Sequence, residues 1–161
     1  MLWHTHVAIG AAAAIASLPA QASTKEAIIA ASVSAAAALI PDIDTPHSKI
    51  GSKHPFTSRV ANFILGHRGA MHSLLGCLAV FYLSNTILPI SLQHLSKYIA
   101  IGYMSHLIAD MLNPAGVPLM WPLSGKRYRI PLVKTGGISE KIVLFFVALF
   151  IITKIEHVFV F

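Results

Sequence analysis

The sequence predicts an all-α protein, a polytopic membrane helical bundle of about five hydrophobic helices forming a single integral-membrane domain over residues 1–161. Three observations carry that expectation. Hydrophobic residues make up 55% of the chain and charged residues only 11%, whereas a soluble domain carries about 25% charged residues. The apolar residues gather into five runs broken by proline, glycine and charge. The lysines and arginines crowd into alternate connections, as in a chain threaded through a bilayer.

The first run, "VAIGAAAAIASL" (7–18), is closed by Pro19, and the second, "EAIIAASVSAAAALI" (26–40), by Pro41. Both are short and Ala-rich. Small residues let helix backbones approach closely, so 7–40 is expected to form a tight helical hairpin. The third run, "AMHSLLGCLAVFYLSNTILPI" (70–90), has the roughly 20 residues that cross a bilayer and is expected to span. "LSKYIAIGYMSHLIADML" (95–112) and "KIVLFFVALFIITKI" (141–155) complete the set. "SLPAQAS" resembles a signal-peptidase site, but the stretch before it has two histidines and no lysine or arginine, so retention is expected. Cys77 is the single cysteine and can form no internal disulfide.

Five spans place the 41–69 and 113–140 loops on one side of the membrane with the N-terminus. That side holds Lys49, Lys53, Arg59, Arg68, Lys126, Arg127, Arg129, Lys134 and, at its boundary, Lys141. The other holds Lys25, Lys97 and Lys154. Nine against three assigns the basic side to the cytoplasm. The net charge of +6 is therefore expected to report topology and contact with anionic lipid, and no nucleic-acid partner is expected.

The same partition sorts the histidines and carboxylates, which the charge count did not use. His4, His6, Asp42, Asp44, His47, His54 and His67 lie on the basic side, with His72 about one turn into the third run. His106 and Asp110 approach that side from the fourth run. As an i, i+4 pair on a helix they share a face, and ionisable groups at membrane depth are functional candidates by default. A simple hydrogen-bonded His–Asp pair is the plainer alternative. "PDID" sets Asp42 and Asp44 two residues apart, on one face if the backbone is extended, although Asp and Pro also make ordinary turns. "HRGAMHS" supplies His67 and His72 around Arg68, and "WHTH" supplies His4 and His6, of which His6 lies nearer the apolar core. The chain has no H-E-x-x-H, no G-x-S-x-G and no paired cysteines. Mixed His/Asp donors suit Zn, with Mn or Fe as alternatives, and the surplus of candidates allows one or two divalent ions.

"PDIDTPHSKIG", "HRGAMHSLLG" and "GYMSHLIADMLNPAGVPLMWPLS" resemble the YdjM family of inner-membrane, metal-dependent hydrolases, described as LexA-binding. The resemblance runs from "HTHVAIG" to about residue 131. It implies a bacterial or archaeal cytoplasmic-membrane protein with His6, Asp44, His67, His72, His106 and Asp110 as metal ligands and Asp42 alongside. A LexA-type repressor enters as a partner only through this resemblance. Trp-His, the Asp loop and H-x-x-x-D are also similar to zinc-dependent phospholipase C, whose downstream H-x-x-x-E is missing from this chain.

The expected function is hydrolysis, by metal-activated water at the cytoplasmic mouth, of a phosphoester or ester bond in a lipid-like substrate. Asp42 is the candidate general base, and Arg68 the candidate contact to phosphate. Arg68 serves equally well as a headgroup anchor. The basic run "GKRYRIPLVK" is expected to hold anionic headgroups. A metal transporter or sensor is the alternative, but it would need polar groups continuing through the bundle. The fifth run is apolar from Ile142 to Ile152. A purely structural or protein-binding role leaves the clustered ligands unexplained.

Overall fold

The computed structural model describes residues 1–44 and 69–159, with side chains described over 1–43 and 69–154. Among these residues stand five α-helices: α1 (Trp3–Ala16), α2 (Thr24–Ala37), α3 (Leu74–Ile87), α4 (Ser96–Met111) and α5 (Ile138–Phe159). A 3₁₀ segment, Ile40–Asp44, extends α2, and another, Ile90–Leu95, leads into α4. The described residues form no β-strand; one isolated antiparallel bridge pairs Val117 with Tyr128.

Local chemistry sets the helix ends. Ser23 caps α2 by accepting from the Glu26 N–H at 3.2 Å, and Ser23 followed by Glu26 has the Ser-x-x-Glu spacing of a capping box. Ser73 caps α3 by accepting from the Gly76 N–H at 3.1 Å. The third apolar run is therefore not helical from residue 70: Gly69 to His72 form turns and Ser73 is the cap. The helix that remains has 14 residues, about 21 Å at the usual rise, against a hydrocarbon core of about 30 Å. Among the described residues one helical stretch is long and apolar enough to cross a membrane, Thr24–Ile43. The sequence had marked it as short. It gains its length because the chain stays helical through Pro41, whose missing N–H costs little in a 3₁₀ turn that begins one residue earlier.

The packing is inverted relative to a water-soluble bundle. α1, α2 and α4 pack against one another, with α3 against α4 and α5 against α1. Their shared interior is built largely from small and polar side chains packed around Tyr98, Tyr103 and Leu107: Ala12, Ala14, Ala30, Ala37, Ala38, Ser34, Ser105 and the histidines 6, 72 and 106 are also buried. Ser34 Oγ on α2 donates to the Gly10 carbonyl of α1 at 2.7 Å, and α4 brings Gly102 against the same serine. Leu75, Leu78, Phe81, Leu83 and Ile87 of α3, and Ile142, Phe145, Phe146 and Leu149 of α5, face outward. Extended apolar faces of this size mark a lipid or protein environment. Small residues inside and large apolar ones outside is the arrangement of helices that associate in lipid.

Candidate metal centre

Four segments deliver histidine and aspartate to one end of the bundle. In α1, His6 is buried and His4 exposed. The backbone there is helical, so residues two apart point to opposite sides, and His4 turns outward to meet the Trp3 ring edge-on at 5.7 Å. Asp42 comes from the 3₁₀ segment after α2. That backbone is not the extended chain that would put Asp42 and Asp44 on one face, since residues two apart in a 3₁₀ turn diverge. Asp42 reaches the cluster; the Asp44 side chain lies outside the described residues, as do His67, Arg68, His47 and His54. His72 comes from the turn before α3, and His106 with Asp110 from α4.

The donor atoms lie close enough together that they could share a cation. His6 Nε2 lies 3.3 Å from Asp110 Oδ1, and His106 Nε2 3.4 Å from Asp110 Oδ2. His72 Nε2 lies 3.5 Å from Asp42 Oδ1 and 4.0 Å from Asp110 Oδ2, while His106 Nε2 is 3.9 Å from Asp42 Oδ1. Direct N–H···O bonds peak near 2.9 Å. Two ligands bonded at about 2.1 Å to one tetrahedral ion stand roughly 3.4 Å apart. Two overlapping groups, His6–Asp42–His106 and His72–His106–Asp110, each keep their ligand atoms within 4.8 Å of one another.

Hydrogen bonding separates the ring nitrogens by role. His106 Nδ1 lies 2.7 Å from the Ala38 carbonyl oxygen. A carbonyl only accepts, so Nδ1 carries the proton and Nε2 keeps its lone pair, as in metal-ligating histidines whose other nitrogen is anchored. His106 Nε2 and both ring nitrogens of His6 are buried without a hydrogen-bond partner, as is His72 Nδ1. Buried polar atoms are rarely left so. The His6 and His106 rings stack at 3.8 Å and the His72 ring meets His106 edge-on at 5.3 Å. The three histidine side chains are at most 3% exposed, whereas Asp42 and Asp110 are 21% and 20% exposed. The cluster therefore opens outward past its carboxylates. The Met1 ammonium lies 2.6 Å from Asp110 Oδ1.

Two supporting residues, Tyr103 and Glu140, belong to none of the His/Asp motifs. Tyr103 is fully buried on α4 and donates its hydroxyl to the Met71 carbonyl, next to His72. Its spacing held a signal, since 103, 106 and 110 recur at i, i+3 and i+7 on one helix face. Glu140, buried at the start of α5, accepts from the Leu2 and Gly136 N–H groups at 2.6 Å each. It thereby ties α5 to the chain entering α1.

Fold and cluster define the class: an all-helical protein, lipid-like in its packing, whose buried histidines and partly open aspartates could hold a metal ion. The chain belongs to the YdjM inner membrane protein family, whose model matches residues 1–160. It is 42% identical over 118 residues to the uncharacterized protein YvsG of Bacillus subtilis, covering 73% of this chain and 72% of that one. It is 43% identical over 102 residues to the inner membrane protein YdjM of Escherichia coli, covering 59% of this chain and 50% of that one. The match thus spans half the length of the Escherichia coli protein. No solved structure matches the chain.

Proposed function

We propose that the chain is a multi-pass, inner-membrane, metal-dependent hydrolase with its site facing the cytoplasm, acting on a phosphoester or ester bond of a lipid-like substrate. The carrying observation is the set of five convergent side chains, His6, Asp42, His72, His106 and Asp110, with buried ring nitrogens that no protein group satisfies. Zn, with Mn or Fe as alternatives, fits three imidazoles and two carboxylates. Both overlapping groups need His106, and its Nδ1 is committed to Ala38. One ring nitrogen binds one ion, so the described residues would hold one divalent cation at a time through His106. Such an ion supplies Lewis acidity and lowers the pKa of bound water toward neutrality.

The protein's own residues do the rest. The buried histidines form the inner wall of the site and would exclude water there. Asp110 aims one oxygen toward His6 and the other toward His106, so it would supply negative charge to a bound cation. Asp42, also on the open side and close to His72, is placed to take a proton as general base. Support for the membrane placement comes from the family, from Thr24–Ile43 and from the outward leucines and phenylalanines of α3 and α5.

Purified protein should contain about one equivalent of divalent metal, in keeping with a three- or four-ligand site. Chelation should stop hydrolysis of lipid esters or phosphoesters, and re-addition of the ion should restore it. Protein that purifies active without stoichiometric metal would overturn the proposal.

Tyr103 tests how the site is positioned. Tyr103→Phe keeps the ring but releases the Met71 carbonyl, and so frees the turn that carries His72. Loss of such outer contacts costs about 10- to 100-fold in metal affinity. Competition against a chelator should show a loss of about tenfold with helicity unchanged; unchanged affinity would reduce Tyr103 to packing.

A further inference from the structure

The connection between α4 and α5 presents a surface that the metal site does not use. Residues 112–137 contain four cations, Lys126, Arg127, Arg129 and Lys134, and no acidic residue. Its exposed side chains include large apolar ones: Leu123 is 92% exposed, Leu132 69%, Ile130 52% and Met120 43%. In water that combination is unfavourable, yet the loop is held firmly in place.

Its backbone is pinned at both ends of the site. Val117 and Tyr128 exchange N–H···O bonds of 3.1 and 2.9 Å. Gly116 makes the entry with φ +61°, where an added Cβ would stand 2.7 Å from the Tyr128 carbonyl oxygen. The Ile130 N–H donates to the Met111 carbonyl at 2.7 Å, and Leu132 and Val133 both donate to that of Leu112. These bonds satisfy carbonyls that the end of α4 would otherwise leave bare, just after Asp110. On the other side, Leu119 accepts from the Leu74 N–H at 3.0 Å, two residues past His72. Arg127 and Arg129 each donate one Nη1 to a backbone carbonyl, Ala115 and Pro114, at 3.3 and 3.2 Å. A guanidinium has five N–H donors, so each retains donors for a phosphate oxygen.

We infer that the segment 118–134 is a lipid-docking hairpin that seats Met120, Leu123, Ile130 and Leu132 at the headgroup–acyl boundary and gathers anionic phospholipid headgroups with its four cations. Apolar side chains flanked by Lys and Arg are the composition of segments that lie in an anionic interface. Because the hairpin is bonded to the chain just after Asp110 and just after His72, it presents headgroups where the carboxylate-lined opening lies. Phosphate-bearing anionic lipid is thus the substrate class. The docking rests on the membrane placement proposed above and does not depend on a bound ion; that the docked lipid is the substrate rests on the hydrolase reading.

The full chain carrying Leu123→Cys, labelled with an environment-sensitive fluorophore, is placed in nanodiscs of phosphatidylcholine with or without phosphatidylglycerol. Cys77 is buried, which directs the label to position 123. The label should be quenched by lipids spin-labelled near the headgroup. Enrichment of spin-labelled phosphatidylglycerol over phosphatidylcholine should fall at least about fivefold in the quadruple variant K126Q/R127Q/R129Q/K134Q, since each interfacial cation contributes a factor of about five. Metal content should not change in that variant. A label that stays in water, as it would if the hairpin docked an acidic protein, overturns the inference; so does lipid enrichment indifferent to the four charges. Missing metal with both lipid readouts intact would instead overturn the hydrolase proposal alone.

Discussion

His106→Ala is expected to remove divalent-metal binding altogether, with affinity falling by more than about 100-fold, beyond the cost of losing an outer contact. No other side chain has its position. Its Nε2 belongs to both candidate ligand groups, its Nδ1 is held by the Ala38 carbonyl, and its ring packs against those of His6 and His72. Elemental analysis of the purified variant is the measurement, with circular dichroism reporting helicity. The substitution also leaves the Ala38 carbonyl without its donor, which costs about 1–3 kcal/mol and could loosen the end of α2. Asp110→Asn separates the effects, since it keeps shape while removing the negative charge, and it should lose the metal with the fold intact. His4→Ala is the control. His4 is exposed and faces away from the cluster, so its metal content should match the parent. Full metal occupancy in both His106→Ala and Asp110→Asn would sink the assignment.

How much of this was legible in the sequence depends on how local the cause is. The His106–Asp110 pair could be read directly because a single helical turn decides it. That His6 lies nearer the core than His4 was legible from the apolar run that follows, and the helical backbone of α1 is why His6 is buried and His4 exposed. The five helices follow the five apolar runs, but their ends do not. The continuous apolar run 70–90 masked the cap that Ser73 takes from inside it, although serine is a favoured N-cap residue. Only an extended backbone would set Asp42 and Asp44 on one face, whereas the chain stays helical past Pro41. The Ala38 carbonyl that orients His106 is 68 residues away in the chain and belongs to no side chain, so no motif could announce it. Tyr103 and Glu140 sit between these cases: each lies at a readable helical position, but the backbone groups they bind are set by tertiary packing.

The same tertiary packing makes Gly102→Ala the most damaging glycine-to-alanine substitution expected among the described residues. On an exposed helix surface, glycine to alanine gains about 1 kcal/mol. At Gly102 an added Cβ would stand 2.1 Å from the Ser34 carbonyl oxygen, 2.8 Å from its carbon and 3.0 Å from Ala37 Cβ. The obstacle is mainly backbone, so no side-chain rotation relieves it and α2 must move away from α4. Ser34 Oγ is bonded to Gly10, so that displacement also strains the α1–α2 contact. Further along, it draws the Ala38 carbonyl from His106, one turn beyond Gly102. Overpacking of this kind costs about 3 kcal/mol, which for a chain of this size lowers the thermal midpoint by roughly 6–12 °C. Metal binding should weaken in the same variant although no ligand has changed. Gly125→Ala serves as the comparison, because nothing stands within 4 Å of its added Cβ, and its midpoint should stay within about 2 °C of the parent. If Gly102→Ala matches Gly125→Ala in melting and in metal content, α2 and α4 do not approach as closely as the small residues between them require. The carbonyl anchor of His106 would then need another source.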